Sequence, residues 1–220
     1  MNGEASVNKE IGLKHIRLEG KKLIFLGSSV TYGHASNGVS FVEDIAARNG
    51  CSVRKEAVSG TTLVDDREDS YIARMKQIDD PTADLFVCQL STNDASKGKA
   101  LGTVSVGFEE KDFDTSTVAG AIEYIIAYAR KKWNCPVAFY TNPKFDSEAY
   151  AVMVSLLYAI QKKWKIAIID MWSDGNFNNI TAEQRARYMA DPVHPTRSGY
   201  LEWFTPYFEN SLSQIIAEEG

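Results

Sequence analysis

The 220-residue chain reads as an α/β protein, a parallel sheet covered by helices on both faces. Three observations predict this. Short, continuous apolar runs such as LIFL and LFVCQL are the pattern of strands buried on both sides. Longer stretches with apolar residues at helical spacing separate most of those runs, and strands alternating with helices build a parallel sheet. The runs also end abruptly in small or polar residues, and in such sheets ligands bind beyond the carboxyl ends of the strands.

Residues 1–20 are polar and mixed in charge and read as an arm; residues 21–220 read as one domain. The first strand, Leu23–Leu26, stops at Gly27. Val39–Asn49 carries Phe41, Val42, Ile45 and Ala46 at helical spacing and closes at Asn49-Gly50, a helix-stop signal. Cys51–Val58 and Leu85–Leu90 are the second and third strands. Thr117–Trp133 predicts an amphipathic helix through Val118, Ala121, Ile122, Ile125, Ile126 and Ala129. Pro136–Tyr140 is a fourth strand, Ser147–Trp164 a helix and Ile166–Asp170 a fifth strand. From Ser198 to Glu218 the chain reads as helical, with a kink or break at Pro206, which lacks the N–H a helix needs.

Hydrophobic residues make up 44% and charged residues 24%, enough apolar mass for a packed core and against disorder. The net charge of -5 argues against a nucleic-acid partner, which calls for a basic surplus. Cys51, Cys88 and Cys135 are widely spaced, with no CxxC pair, so they read as buried free thiols and not as zinc ligands. Free thiols suit a reducing cytosol. The N-terminal segment has no apolar core of a signal peptide, and no run approaches the length of a membrane span. The expectation is a cytoplasmic protein with no membrane or nucleic-acid partner.

Four strand-end segments hold the candidate chemistry. Gly27-Ser28-Ser29-Val30-Thr31-Tyr32-Gly33 crowds small residues at a tight strand exit, where a nucleophile would be held exposed. It is neither a phosphate loop, which needs GxxxxGK[ST], nor a GxSxG elbow, since Thr31 stands at the second glycine. A plain turn reads equally well from these residues alone. Gly60, in Val58-Ser59-Gly60, would let a backbone N–H approach a ligand closely. Asn93, in Ser91-Thr92-Asn93-Asp94, has a side-chain N–H to offer an oxyanion, or a turn to cap. Of the three histidines, His15 sits in the arm and His34 lacks a carboxylate nearby in sequence to orient it. His194 has Asp191 three residues upstream in a turn stiffened by Pro192 and Pro195, so a carboxylate can fix its tautomer and stabilise the imidazolium.

Taken together, the four segments resemble the blocks of the SGNH hydrolases, the GDSL esterase/lipase family. GSSVTYG resembles that family's GDSxTxG, and aligning Gly27, Thr31 and Gly33 puts the nucleophile at Ser29. Gly60 matches the second block, STND the usual GxND, and DPVH with its continuation HPTRSGY the DxxH block and its ending. Ser28 and Ser91 depart from the usual Asp and Gly. The resemblance implies a flavodoxin-like three-layer α/β/α fold with five parallel strands. It also implies a Ser29–His194–Asp191 triad, an oxyanion hole of Ser29, Gly60 and Asn93, and no metal or cofactor.

Specificity is left to the loops. Tyr32, His34 and Trp172 are the expected substrate contacts, with Trp172 and Phe177 available to stack on a sugar. The polar segment 96–116 follows the Asn93 strand, so it either covers the site or lies on the surface away from it. The expected substrate is a small-molecule ester, a short acyl group such as acetyl on a carbohydrate or similar small alcohol. An acyltransferase, lysophospholipase or thioesterase with the same triad, or a non-catalytic binding module, are the alternatives.

Overall fold

In a computed structural model of the chain, residues 18–218 are described, so the arm expected over residues 1–20 lies almost wholly outside them. The five expected strands become β1 (Lys22–Gly27), β2 (Ser52–Ala57), β3 (Leu85–Gln89), β4 (Val137–Tyr140) and β5 (Ala167–Ile169); β2, of sequence SVRKEA, is polar and only part-buried, unlike the apolar runs of the others. They pair in the order β2-β1-β3-β4-β5, every pair parallel. This is the sheet the alternating pattern predicts.

Period-two alternation within each strand assigns side chains to two cores. Leu23, Phe25, Val87 and Tyr140 face one core, shared with Phe41, Ile45, Phe204 and Phe208. Ile24, Leu26, Phe86 and Phe139 face the other, shared with Ile72, Ile122, Ile126 and Leu157. The helices follow in chain order: α1 (Ser29–Tyr32), α2 (Phe41–Asn49), α3 (Tyr71–Lys76), α4 (Thr92–Ser96), α5 (Val118–Trp133), α6 (Glu148–Trp164), α7 (Gly175–Asn178), α8 (Ala182–Tyr188), α9 (Arg197–Gly199) and α10 (Thr205–Glu218). α2 and α10 cover the first face, α3, α5 and α6 the second, which makes three layers. Among the described residues no helix is long and apolar enough to cross a membrane.

The expected break at Pro206 takes a milder form. Tyr200–Phe204 widens into a π turn, with the Thr205 N–H bonded to the Tyr200 carbonyl, and the helix then continues to Glu218. Proline supplies no N–H to the carbonyl four residues back, and the widened turn absorbs that mismatch just before it. Cys51, Cys88 and Cys135 are buried free thiols, as their apolar settings predict.

Candidate active site

The segment carrying Ser29, the expected nucleophile, is held from beneath by buried polar groups. β1 runs directly into α1, and Ser29 opens that helix with 5% of its surface exposed. The turn is tight enough to require glycine at its start. A Cβ on Gly27 would lie 1.7 Å from Thr31 Oγ1 and 2.9 Å from Gln89 Oε1. The same carboxamide oxygen, at the end of β3, gathers the turn. It accepts the Ser28 N–H at 2.9 Å, the Thr31 N–H at 3.3 Å and the Thr31 hydroxyl at 2.9 Å. The Ser28 hydroxyl adds a longer contact at 3.3 Å. This explains how the loop is held although Ser28 stands where the resemblance expects an aspartate. Buried Arg74 braces the next layer, donating to the Gly27 carbonyl at 2.9 Å, to Thr61 Oγ1 at 3.0 Å and to the Glu56 carbonyl at 3.0 Å.

His194, the expected base, sits on a short closed turn. Met189 and Pro195 pair as an antiparallel bridge, and the Ala190 N–H bonds the His194 carbonyl at 2.9 Å. Inside that turn Asp191 Oδ1 accepts the Val193 and His194 N–H groups at 2.7 and 2.8 Å. Its Oδ2 lies 2.7 Å from His194 Nδ1. Partial burial works to raise the Asp191 pKa, but the His194 ring and the two backbone N–H groups outweigh it and hold the carboxyl below its ordinary value. A carboxylate at Nδ1 fixes the proton there, which leaves Nε2 as the acceptor. Nε2 lies 2.8 Å from Ser29 Oγ.

Three contacts outside this line fasten the turn. Asn142, wholly buried after β4, donates to the Val193 carbonyl at 3.2 Å. Arg197 makes a two-pronged ion pair with buried Asp44 on α2. The Tyr200 hydroxyl donates to the Val30 carbonyl at 2.8 Å, joining the base segment to the nucleophile helix.

The remaining expected residues fall in different places. Gly60 is exposed and left-handed, φ 81°, and its carbonyl accepts Lys97 Nζ at 2.6 Å. The Asn93 amide donates to the Thr61 carbonyl at 3.0 Å. Asp94 beside it accepts the Leu63 and Val64 N–H groups at 2.8 and 3.1 Å, so the Gly60 loop is anchored to the Asn93 helix. His34 is exposed beside the base, its ring 5.3 Å from that of His194, with Nδ1 3.4 Å from Ser59 Oγ. Tyr32 instead turns toward Gly38 and the Lys55 ammonium. Trp172 packs against Phe145 and Tyr150, and Phe177 stacks on Trp203, so both rings have protein partners. The 96–116 segment divides. Lys97 reaches Gly60, but Ser105 and Gly107 are pinned to Lys163 and Glu123 on the outer side of α5 and α6.

Gln89, Arg74 and Asn142 went unforeseen as site residues. Gln89 stands alone in the apolar run LFVCQL, which is a sequence signal, whereas Asn142 and Arg74 have polar neighbours and nothing in the sequence marks them. Helix α8 also went unforeseen, though Thr181 and Gln184 form a capping box legible in the sequence.

The profile of the GDSL-like lipase/acylhydrolase family matches residues 25–201, which include every segment of this site. The chain belongs to that family. As a GDSL-like hydrolase it is an enzyme of ester bonds, in the broad esterase and lipase sense. Its fold is similar to that of a protein from Lactobacillus plantarum, 18% identical, with a TM-score of 0.72 over 92% of this chain and 99% of that one. A GDSL-like protein of Bacteroides ovatus is also 18% identical, with a TM-score of 0.65 over 89% and 99%. An acetyl xylan esterase is 15% identical, with a TM-score of 0.61 over 87% and 99%. At these identities the likeness establishes the α/β/α fold of the GDSL-like hydrolase. No curated protein sequence matches it.

Proposed function

We propose that the chain is a serine esterase that removes a short acyl group, acetyl foremost, from a carbohydrate or similar small alcohol. One observation carries this reading: an unbroken hydrogen-bonded line, 2.8 Å from Ser29 Oγ to His194 Nε2 and 2.7 Å from Nδ1 to Asp191. Ser29 attacks the acyl carbonyl as His194 takes its proton. His194 then gives that proton to the departing alcohol, and water reverses the sequence to free the acid. Asp191, held ionised at neutral pH, stabilises the imidazolium in both halves.

In this reading the oxyanion is met by the backbone N–H groups of Ser29 and Gly60 and by the Asn93 amide. Asn93 gives one amide hydrogen to the Thr61 carbonyl, which orients the side chain and leaves the second hydrogen to donate. The acyl side is bordered by His34, Ser59, Lys97 and Asn93, a polar surrounding that favours a small acyl group over a long hydrocarbon. The acetyl xylan esterase among the structural neighbours accords with that size.

The test is covalent. A serine-directed phosphonate is expected to label Ser29, and Ser29→Ala to remove p-nitrophenyl acetate hydrolysis while the protein stays folded. Full turnover in that variant would move the nucleophile elsewhere.

A further inference from the structure

We propose that Asn142 is a positioning residue of this site: through the Val193 carbonyl it sets the orientation of His194, and it couples that turn to the segment carrying Asn93. The inference rests on the esterase reading and adds to it a residue that touches no reacting atom. Asn142 follows β4 and is wholly buried. Its side-chain amide donates to the Val193 carbonyl at 3.2 Å. Its backbone N–H donates to the Tyr150 hydroxyl on α6 at 3.0 Å, and that hydroxyl donates to the Leu90 carbonyl at 3.0 Å. Leu90 leads directly into Ser91, whose hydroxyl accepts the Asn93 N–H at 3.1 Å. One chain of contacts thus runs from the turn of His194 to the start of α4.

The Val193 carbonyl is a sensitive place to hold. It and the His194 N–H are the two ends of one planar peptide group. Asp191 grips the N–H end at 2.8 Å. Asp191 belongs to the same turn, however, and moves wherever that turn moves, taking His194 with it. Asn142 stands outside the turn, at the end of the sheet. Its contact fixes the other end of the peptide group, so the plane from which the imidazole hangs cannot tilt without breaking it. A single 2.8 Å hydrogen bond separates that ring from Ser29, so a small tilt is enough to spoil the proton transfer.

The donor half of the amide is what the position uses. Among the described residues the buried Asn142 Oδ1 has no hydrogen-bond partner. An unpaired buried acceptor is destabilising. A leucine of similar bulk would avoid that loss and would supply no N–H. Turning the amide over would set Oδ1 against the Val193 oxygen, so the contact itself identifies the donor. A side chain that weakens the core to present one N–H to the turn of His194 serves geometry before stability.

Asn142→Leu removes the donor and the unpaired acceptor together. Its p-nitrophenyl acetate kinetics are read beside thermal unfolding and the low-field proton NMR signal of His194 Nδ1–H, which reports the bond to Asp191. The expected result is a kcat lowered roughly 10–100-fold at nearly constant KM, a Tm close to that of the wild type, and a shifted or broadened low-field signal. Tyr150→Phe should lower kcat less, and the double variant should lose less than the product of the two, as coupled positions do. Should Asn142→Leu not fold, Asn142→Asp, isosteric and without an amide hydrogen, is measured in its place. Wild-type kcat and an unmoved signal in the folded variant overturn the proposal, whether or not Tm falls. Strictly multiplicative losses in the double variant overturn the coupling to the Asn93 segment. Folded wild-type protein that hydrolyses no ester would instead remove the esterase reading, and the NMR signal would still test how His194 is held.

Discussion

Replacing Gln89 by leucine tests whether the nucleophile turn is held by a single carboxamide oxygen. The substitution keeps the side chain's bulk and removes the acceptor. The Thr31 hydroxyl retains a partner, since Tyr140 OH lies 2.6 Å away. The loss therefore falls on the backbone N–H groups of Ser28 and Thr31, both in buried residues. An orphaned buried donor costs about 1–3 kcal/mol. Gln89 Nε2 is itself buried without a partner, so its removal offsets part of that sum. A net loss of roughly 2–4 kcal/mol follows, which for a domain of this size lowers Tm by roughly 5–15 °C. Activity should fall further than stability requires. A shift of about 1 Å in Ser29 Oγ away from His194 can lower kcat as much as 100-fold. The assay pairs urea unfolding with p-nitrophenyl acetate kinetics well below Tm. Gln89→Glu, which keeps an acceptor oxygen in place, should retain more kcat than Gln89→Leu. Wild-type kcat and Tm in Gln89→Leu would refute the reasoning, and Ser29 would then be positioned by its own helix alone.

Three further outcomes follow from the same geometry. Asn93→Ala should lower kcat by about 10²–10³ with little change in KM, as loss of a transition-state donor does; a raised KM at constant kcat would make Asn93 a ground-state contact. Asp191 has a folded pKa below its unfolded value of about 3.9, so its stabilising contribution is present above that pH and is lost as pH falls through the lower folded value. Urea unfolding of wild type and Asp191→Asn should accordingly differ at pH 7 and converge below about pH 4, and a gap that persists in acid would contradict the assignment. Gly27→Ala places a Cβ 1.7 Å from Thr31 Oγ1 and should destabilise by at least the upper end of the ~1–3 kcal/mol typical of overpacking, read as a lowered Tm.

Residue patterns in the chain were enough to lay out the sheet. Four strands, β1, β3, β4 and β5, arise from apolar runs, which are visible one residue at a time, whereas β2 is a part-exposed edge strand of sequence SVRKEA. The Asp191–His194 pair was legible for a local reason: both belong to one turn, so their spacing already encodes their contact. The supports were not legible. Gln89 meets Ser28 across 61 positions of sequence, Asn142 meets Val193 across 51, and no spacing rule links such pairs. Trp172 shows the reverse difficulty. An aromatic residue after a strand suits a ligand face or a packing face equally, and only the neighbours Phe145 and Tyr150 reveal which surface it covers.

Ser29 and His194 are 165 positions apart, and in the proposed reaction the bond between them is broken and remade in every turnover. It cannot be what keeps them together. Contacts that use no reacting atom must do so, and two serve. The Tyr200 hydroxyl joins the segment after His194 to the Val30 carbonyl, one residue beyond Ser29, in a buried contact. Arg197, three residues beyond His194, grips Asp44 on the helix that follows the nucleophile turn. Both partners of these links lie on α1 or α2, so the base segment is registered against the nucleophile's own face of the sheet. The two sides nonetheless differ in how they are held. The nucleophile turn rests on a buried amide that does not titrate, whereas the base turn rests on a half-exposed carboxylate that does. Acid should therefore loosen the His194 side first and leave the Ser29 turn in place.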